Sequence, residues 1–286
     1  MRFGAHAVLF TTAIATNTDH VLSQLAQAGA RGVELGARFF GVEKNLELKE
    51  AMQRHGLELS GLHASVALAQ LLDDKEQAEQ TLTQCARFLE VMPNKNIIMT
   101  GGVSPENWNE PDYGDPRLTQ VGSARQIAQT LNALAKKLDQ EYGVRLCYHN
   151  HNWEFANDAL IYKALMEEAG QLCFALDTGW AAIMGYDPAT LIESAPERFV
   201  YAHLRDYDKS IDRKGMDFES LQQGYMELGT GDMDFERLLT ALHHSLGKDG
   251  FAIVEYERGP VDAGRYAKAL RFIAEKYASL HLDVQT

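Results

Sequence analysis

The sequence predicts an α/β protein that folds as a single (β/α)8 TIM barrel over residues 1–286. Three observations lead to this prediction: eight short apolar runs, longer helical patterns that alternate with them, and no linker between the units. The length of 286 residues agrees with it, because barrels of roughly 250 residues form one domain.

Each predicted strand is a short apolar run bounded by polar or turn-forming residues. The predicted strands are Arg2–Phe10, Gly32–Leu35, Leu57–His63, Asn96–Thr100, Val144–His149, Leu172–Asp177, Phe199–His203 and Phe251–Glu255. An open, doubly wound sheet is the alternative, but it needs fewer strands or a nucleotide-binding fingerprint. The pair Gly101-Gly102 after one strand is too short a signal to serve as that fingerprint.

The segments between the strands have helical periodicity, as in Leu131, Leu134, Ala135 and Leu138. The predicted helices are Thr18–Ala28, Leu46–His55, Lys75–Leu89, Leu118–Tyr142, Asp158–Ala169, Pro188–Ala195, Asp234–Leu246 and Asp262–Leu280. Asp234 is the expected cap of its helix. Left-handed glycines are expected after four of the helices. They are Gly29, Gly56, Gly170 and Gly247.

The segment from Gly101 to Arg117 is a long predicted connection without an element of its own. It contains Trp108 and Pro111. Long connections in compact domains often serve as lids over active sites. We therefore predict that this segment covers the mouth of the barrel.

Composition and charge disfavour several classes of partner. The formal net charge of −13 argues against nucleic acid and anionic membranes, because phosphate binding needs a basic surface. The sequence has no apolar run of about 18 residues, the length that a membrane-spanning helix needs. We expect no signal peptide, and the three cysteines, Cys85, Cys147 and Cys173, are scattered. A cytoplasmic protein with reduced cysteines is the expectation.

Polar side chains gather at the carboxyl ends of the predicted strands, where the active sites of such barrels lie. The set is Glu34, His63, His149, Asn150, His151, Asp177, His203, Arg205, Asp206, Glu255 and Glu257. Residues two apart on a strand face the same side, so His149, Asp177, His203 and Glu255 are predicted to face the lumen. Leu176, Leu204, Val254 and Tyr256 have the opposite parity and are predicted to face the helices.

Ionisable groups in a barrel lumen are costly unless they are paired or bind a metal, because the lumen normally holds branched apolar side chains. His149, Asp177, His203 and Glu255 come from four neighbouring strands. Together they form a candidate cage for a divalent metal ion. A structural role explains all four residues less readily than ligand binding does.

Other polar residues have a structural alternative. Glu34 and His63, taken singly, could equally be structural hydrogen-bonding residues, and Glu257 could be an ion-pair partner in a loop. His243-His244 lies in a predicted helix and is expected to face solvent. His6 lies on the first strand and could point into the lumen, without an assigned role.

Several segments resemble a known family. They are Tyr148–Phe155 (YHNHNWEF), Leu176–Trp180 (LDTGW), Ala202–Tyr207 (AHLRDY), Glu227–Phe235 (ELGTGDMDF) and Val254–Glu257 (VEYE). On these segments the sequence resembles the xylose-isomerase-like barrel superfamily. Within it, the segments are similar to the sugar phosphate isomerase/epimerase branch, which includes inosose dehydratase and ketose 3-epimerase relatives. The resemblance extends over essentially the whole chain.

The resemblance implies metal ligands at His149, Asp177, His203 and Glu255. It implies Mn²⁺ as the first choice of ion, and two imidazoles with two carboxylates also suit Co²⁺, Fe²⁺ or Zn²⁺ better than Mg²⁺. One position departs from the ketose epimerases, in which a glutamate at the place of His149 also exchanges a proton with the substrate. Because a metal-bound imidazole is a poor base, the two-glutamate mechanism is not expected here.

The resemblance further implies a small-molecule sugar or polyol as substrate, isomerised or epimerised through a metal-stabilised enediolate. His151, Glu34 and His63 are the candidate acid–base residues. Arg205 is a candidate for holding a substrate oxygen or phosphate. His151 lies further toward the barrel mouth than His149, so His151 is the first candidate for proton transfer and His149 for the metal.

Other functions stay open from the sequence. Expulsion of a β-hydroxyl would make the protein a dehydratase or another lyase of a keto-polyol or keto-glycoside. A relative of abasic-site endonucleases would need further zinc ligands and a basic cleft, which the charge of −13 disfavours. A non-catalytic sugar-binding barrel is a third alternative. The stretch Arg38–Phe40 could cover a neighbour in a homo-oligomer, cover a substrate, or line the protein's own pocket.

Overall fold

Eight parallel strands close into a barrel in the computed structural model, which describes residues 1–211 and 216–282. In chain order, the strands of the barrel and of one separate pair are β1 (Arg2–His6), β2 (Gly32–Gly36), β3 (Glu58–Ala67), β4 (Asn96–Gly102), β5 (Arg145–His149), β6 (Cys173–Asp177), β7 (Phe199–Leu204), β8 (Asp206–Tyr207), β9 (Tyr225–Met226) and β10 (Phe251–Val254). The barrel order is β1-β10-β7-β6-β5-β4-β3-β2, and β8 and β9 form a separate antiparallel pair. The predicted (β/α)8 barrel is therefore confirmed.

The helices that follow the strands form the outer layer. They are α1 (Ala13–Thr16), α2 (Thr18–Gln27), α3 (Asn45–Arg54), α4 (Leu68–Asp73), α5 (Lys75–Leu89), α6 (Val121–Tyr142), α7 (Asn152–Glu168), α8 (Thr178–Ile183), α9 (Pro188–Ser194), α10 (Phe218–Gln222), α11 (Phe235–Leu246) and α12 (Ala263–Ser279). Over the described part of the chain, no helix combines the length and the apolar character that crossing a membrane requires.

Buried apolar side chains form two clusters, one on each side of the barrel wall. The larger lies between strands and helices and contains the four residues predicted to face outward: Leu176, Leu204, Val254 and Tyr256. The smaller lies inside the barrel and is called the lumen core below. It consists of Ile98, Cys147, Ala175, Tyr201, Phe251 and Ile253. The lumen is therefore packed, as in other barrels of this type, and its ionisable imidazoles and carboxylates lie above this layer.

Two predicted strand ends differ from the structure by four residues, whereas the other strand boundaries agree to within two. β1 ends at His6, and Ala7–Phe10 form a 3-10 helix in which Leu9 and Phe10 are buried. Apolar composition continues past the strand because these side chains are also buried, and composition does not distinguish a strand from a buried turn. β3 continues past His63 to Ala67, because it pairs with β4 as far as Gly102.

Two helix starts also differ from prediction. α6 begins at Val121 rather than Leu118, after a 3-10 turn at Pro116–Thr119. α7 begins at Asn152, but residues 156–159 have non-helical backbone angles. A short turn directly after β5 is therefore separate from the long helix that the periodicity predicted.

Most of the predicted helix caps are confirmed. The Asp234 carboxylate accepts a hydrogen bond from the Arg237 backbone N–H at 3.1 Å. Glycines 29, 56 and 247 have φ values of +97°, +65° and +64°. The prediction for Gly170 was wrong, because its φ is not positive and α7 already ends at Ala169.

Candidate metal centre and active site

The four predicted metal ligands lie together at the carboxyl end of the barrel. One ligand atom from each of His149, Asp177, His203 and Glu255 lies within 4.8 Å of those of the other three. All four residues are buried. Each follows a lumen-core residue by two positions on its strand, so the register that points the lumen core inward also points these side chains inward.

The donor atoms of this cluster fit a divalent ion better than they fit one another. His203 Nδ1 and Glu255 Oε2 are 2.8 Å apart, yet both atoms are buried without a properly oriented hydrogen-bond partner among the described residues. His149 Nε2 lies 3.8 Å from Asp177 Oδ2. Unpaired buried polar atoms are costly, and convergence on a shared point is the arrangement expected of metal ligands.

Arg205 balances the negative charge of the cluster. Its Nε donates to Asp177 Oδ2 at 2.8 Å, and its Nη2 lies 2.8 Å from Glu255 Oε2 and 2.9 Å from Glu257 Oε1. Burial raises the pKa of Asp177 to about 6, although the Arg205 guanidinium acts in the opposite direction. The contact between Arg205 and Glu257 agrees with the alternative in which Glu257 is an ion-pair partner. The Arg205 guanidinium, which was predicted to hold a substrate oxygen or phosphate, is already bound by carboxylates.

Glu34 lies directly behind the metal ligands and contacts two imidazoles. His203 Nε2 donates to Glu34 Oε2 at 2.6 Å, and His63 Nδ1 donates to Glu34 Oε1 at 2.8 Å. Burial would raise the pKa of Glu34, but the neighbouring His203 and His6 together hold it well below its usual range. A carboxylate that accepts from one nitrogen of a histidine leaves the other nitrogen, here Nδ1, for a metal.

His6 is a residue of the site to which sequence analysis gave no role. Its Nδ1 donates to Glu255 Oε1 at 2.7 Å, which leaves Oε2 on the side of His203. The His6 ring packs against those of both His63 and His203, with centroid distances of 5.1 and 5.5 Å. Its position at the end of the first barrel strand, level with Glu34 on the next strand, was the available signal.

His63 is held at both ring nitrogens. Besides the contact with Glu34, His63 Nε2 lies 2.9 Å from Thr100 Oγ1, so the hydroxyl can donate to it. Thr100 was not singled out from the sequence, because a lone threonine at a strand end carries no specific chemical signal. His63 and Thr100 both line the cavity described below.

His151 has the environment of an available base. Its ring stacks on Trp153 at a centroid distance of 4.5 Å, and its Nδ1 is buried at the start of α7, where the side chain caps the Glu154 backbone N–H. The residue is half-buried and lines the cavity described below. Burial lowers the pKa of His151 to about 3, so the imidazole is neutral near pH 7. The centroid of this ring lies 5.0 Å from that of His149, beside the metal ligands rather than among them.

The remaining residues of the family-like segments tie neighbouring strand ends together. The Asn150 side chain donates to the Asp177 carbonyl and accepts from the Asp177 N–H, at 3.2 and 2.9 Å. Thr178 Oγ1 donates to the His203 carbonyl at 2.9 Å and accepts from the Arg205 N–H at 3.1 Å. A Cβ at Gly179 would lie 2.7 Å from the Arg205 Cβ, so only glycine leaves room for that side chain.

Asp206 organises the segment between the last two barrel units. Its carboxylate accepts backbone hydrogen bonds from Gly229, Gly231 and Met233 at 2.9, 2.9 and 3.0 Å. This residue was grouped with the polar strand ends, but its contacts are with the loop and not with the metal ligands. The ELGTGDMDF segment is therefore a loop built around one buried carboxylate.

A cavity of about 580 Å³ opens beside the metal centre. His63, His149, His151 and Glu255 line its inner end. Trp108, from the connection predicted to be a lid, also lines it and packs on Phe218 at a centroid distance of 4.3 Å. The connection after β4 thus contributes a wall of the cavity at the barrel mouth.

Residues 38–40 line the same cavity, which agrees with the alternative in which this stretch walls the protein's own pocket. The two histidines of α11 lie away from it. His244 is exposed as predicted, but His243 is half-buried, and its Nδ1 lies 2.6 Å from the Tyr277 hydroxyl.

Residues 22–276 match the model of the family described as xylose isomerase-like TIM barrel. The chain belongs to this family. The resemblance found in the sequence is thereby confirmed. An inosose dehydratase from Geobacillus kaustophilus (strain HTA426) is 27% identical over 264 residues, which cover 88% of this chain and 83% of that protein.

Two solved structures of sugar epimerases have the same fold. D-allulose 3-epimerase from Methylomonas sp., in complex with D-allulose, has a TM-score of 0.70 at 18% identity, with 97% of each chain covered. The apo form of 3-keto-D-glucoside 4-epimerase from E. coli has a TM-score of 0.70 at 16% identity, with 96% of this chain and 99% of that chain covered. At these identities the likeness establishes the barrel fold.

Proposed function

We propose that this protein is a divalent-metal-dependent enzyme that removes a carbon-bound proton beside the carbonyl of a small sugar or keto-polyol. The observation that carries the proposal is the placement of His151. A neutral imidazole lines the same cavity as His149 and Glu255, two members of the four-residue cluster that fits a divalent ion. A base next to a Lewis-acid site is the pairing that enolisation of a hydroxy-ketone needs.

His149, Asp177, His203 and Glu255 would hold the ion. Two imidazole nitrogens and two carboxylate oxygens suit Mn²⁺, Co²⁺, Fe²⁺ or Zn²⁺, and Mn²⁺ is our first choice. When bound, the ion would polarise the substrate carbonyl and stabilise the negative charge that develops on its oxygen.

Side chains of the protein would transfer the proton, orient the ligands and balance the charge. His151 accepts the carbon-bound proton at the part of its ring that lines the cavity. Glu34 and His6 orient His203 and Glu255, so they are positioning residues in this proposal rather than proton donors. Arg205 offsets the charge of Asp177, Glu255 and Glu257, while Trp153 under the His151 ring fixes the plane in which the base faces the cavity.

Dehydration is the outcome that we place first. The inosose dehydratase match extends over 83% of that protein's length, which supports a lyase reaction. The presence of His149 supports it further, because a metal-bound imidazole cannot act as the second base of a two-carboxylate epimerase. In this scheme the proton goes to His151, the electron pair of the broken C–H bond forms a C=C bond, and the C–O bond to the β-hydroxyl breaks. The hydroxyl leaves as water with the proton that His151 holds, which returns His151 to its neutral form.

Isomerisation or epimerisation is the second candidate. It shares the proton-abstraction step and needs no acid for a leaving hydroxyl. The specific observation in its favour is that His151 lines the cavity beside His149 and Glu255, so it could return the same proton to the neighbouring carbon. A 1,2-isomerisation requires only one such base.

The test begins with protein stripped of metal by a chelator and reloaded with Mn²⁺, Co²⁺ or Zn²⁺. Inososes, keto-sugars and keto-glycosides are then incubated in D2O and followed by NMR and mass spectrometry. Dehydration lowers the product mass by one water and creates an enol absorbance, whereas isomerisation conserves the carbon skeleton and oxygen count. Failure to take up any of these ions, as measured by elemental analysis, would refute metal dependence.

A structural control accompanies this test. Circular dichroism of the chelated protein should match that of the loaded protein, because the barrel is closed by its own hydrogen bonds and lumen core. A collapse of the helical signal on chelation would instead make the metal structural, and loss of activity would then say nothing about its part in the reaction.

A further inference from the structure

We propose that the cavity beside the metal centre has a second subsite that holds another sugar ring, so that the substrate is a keto-glycoside rather than a free monosaccharide. This inference rests on the proposed function, because the reacting ring must lie at the metal centre. The second subsite is formed by Phe39, Phe40, Thr81, Gln84 and Phe88, which we call the distal wall.

The distal wall lies outside the barrel lumen. Phe39 and Phe40 belong to the connection that leaves β2 after Glu34, the residue behind the metal ligands. The other three residues are on α5, which packs against β3 from the helical layer. The cavity therefore continues from the metal centre over the strand ends into the space between a loop and a helix.

Three residues of α5 face this space together. Thr81, Gln84 and Phe88 are spaced by three and then four residues, which places them on one face of a helix. One face of α5 therefore forms this side of the cavity.

The size of the cavity exceeds what the proposed reaction alone needs. Its volume is about 580 Å³. Pockets of roughly 300 to 1,000 Å³ hold drug-sized ligands, which are larger than a single sugar ring. A substrate that fills only the end near His149 and His151 would leave the distal wall uncovered.

The chemistry of the distal wall suits a sugar ring. Phe39 and Phe40 are partly exposed to the cavity and offer flat apolar surfaces, against which the C–H faces of a sugar can pack. Gln84 is exposed and supplies both a donor and an acceptor for hydroxyls. Arg38 lies at the same mouth, with its guanidinium carbon 4.7 Å from the centroid of the Phe39 ring. Aromatic faces mixed with uncharged polar groups favour a second sugar over a purely apolar substituent.

Thr81→Phe tests the subsite by filling it. The matched control is Thr83→Phe, because Thr83 is half-buried on the same helix but does not line the cavity. Each variant is assayed on a monosaccharide ketone and on the disaccharide ketone that carries the same reacting ring. We expect the wild-type protein to favour the disaccharide in kcat/KM. Thr81→Phe should lower the disaccharide-to-monosaccharide ratio about tenfold, which corresponds to roughly 1.4 kcal/mol, and Thr83→Phe should leave the ratio unchanged.

A binding measurement separates this inference from the proposed function. Trp108 and Trp153 line the cavity, so their fluorescence is titrated with cellobiose, maltose and glucose in the wild-type protein and in both variants. Tighter binding of a disaccharide that Thr81→Phe abolishes supports the subsite even if no ketone is turned over. Equal affinity for glucose and both disaccharides, or a disaccharide preference that survives Thr81→Phe, overturns it, whether or not the enzyme dehydrates inososes. Phe39→Ala, which removes part of the wall instead of filling the space, should weaken disaccharide binding in the same assay.

Discussion

The lumen core and the metal centre occupy the same strands at positions two residues apart, yet they have opposite chemistry. On β5, β6, β7 and β10, an apolar or weakly polar side chain faces inward first, and a metal-centre residue follows on the same side. The lower layer packs as an ordinary barrel interior. The upper layer buries imidazoles and carboxylates, which is costly unless they are paired or bind an ion. One strand register thus orients both layers, and under the proposed function the lower layer contributes packing while the upper layer holds the metal ion.

Within the upper layer, the sharpest contrast is between His149 and His151. We expect His149→Ala to lose the metal, since His149 is one of the four converging ligands. His151→Ala should keep the metal but lose turnover by roughly 100- to 10,000-fold, the usual contribution of a positioned general acid or base. The measurements are metal content and kcat of both variants at saturating Mn²⁺.

Two results would change this assignment. If His151→Ala strips the metal while His149→Ala retains it, the ligand position is two residues further along the chain than proposed. If His151→Ala keeps both metal and full activity, the imidazole is structural, and Glu34 or His63 becomes the better candidate for the proton-transfer group.

The lower layer should respond in the opposite way. Ile253→Ala removes a fully buried side chain from the lumen core directly below Glu255. We expect it to lower the free energy of unfolding by about 2 to 5 kcal/mol, the usual cost of such a truncation. The folded fraction should still bind metal. Denaturant unfolding and metal titration of the same preparation check both parts.

Val121→Ala is the control for that experiment, because Val121 is 58% exposed and should change stability by less than about 0.5 kcal/mol. A loss of metal affinity in Ile253→Ala with no loss of stability would show that the two layers are not separate in the way described.

The sequence predicted the upper layer better than its surroundings, for a physical reason. A strand has a strict two-residue period, so the amino-acid order alone places His149, Asp177, His203 and Glu255 on one side of their strands. Polar residues at strand ends also contrast with the apolar strands below them. The fold class and the convergence of these four side chains could therefore both be predicted from the sequence.

The contacts of Glu34 and His6 with the candidate metal ligands could not be predicted from the sequence, because they join distant parts of the chain. The contact of His6 with Glu255 and that of Glu34 with His203 depend on barrel closure and on side-chain rotamers. Periodicity carries information on neither. The end of β1 was misplaced for a related reason, since Leu9 and Phe10 are as apolar as strand residues but are buried in a turn.

The contacts of Glu34 predict a loss of metal affinity that is smaller than the loss caused by removing a ligand such as His149. Glu34→Gln weakens the acceptor for His203 Nε2 and His63 Nδ1 while keeping the shape of the side chain. We expect about a 10- to 100-fold loss of metal affinity, the usual effect of removing a carboxylate behind a metal-binding histidine. Mn²⁺ titration followed by electron paramagnetic resonance measures the free and bound ion directly.

Glu58→Gln is the matched control, because the same chemical change is made at the first residue of β3, where Glu58 pairs with Arg2 at 2.8 Å. It should leave metal affinity unchanged. Equal losses in the two variants would mean that the general negative charge of the protein, and not the contact with His203, attracts the ion.

The smallest expected effect concerns a polar contact within the lower layer. The Tyr201 hydroxyl lies 2.8 Å from Ser60 Oγ, and both residues are fully buried. Tyr201→Phe leaves the serine hydroxyl unpaired and should lower the free energy of unfolding by about 1 to 3 kcal/mol. Adding Ser60→Ala removes the unpaired serine hydroxyl, so the double variant should recover part of the lost free energy of unfolding. Denaturant unfolding of the two single variants and the double variant completes the cycle. Additive losses would show that the hydroxyls do not interact.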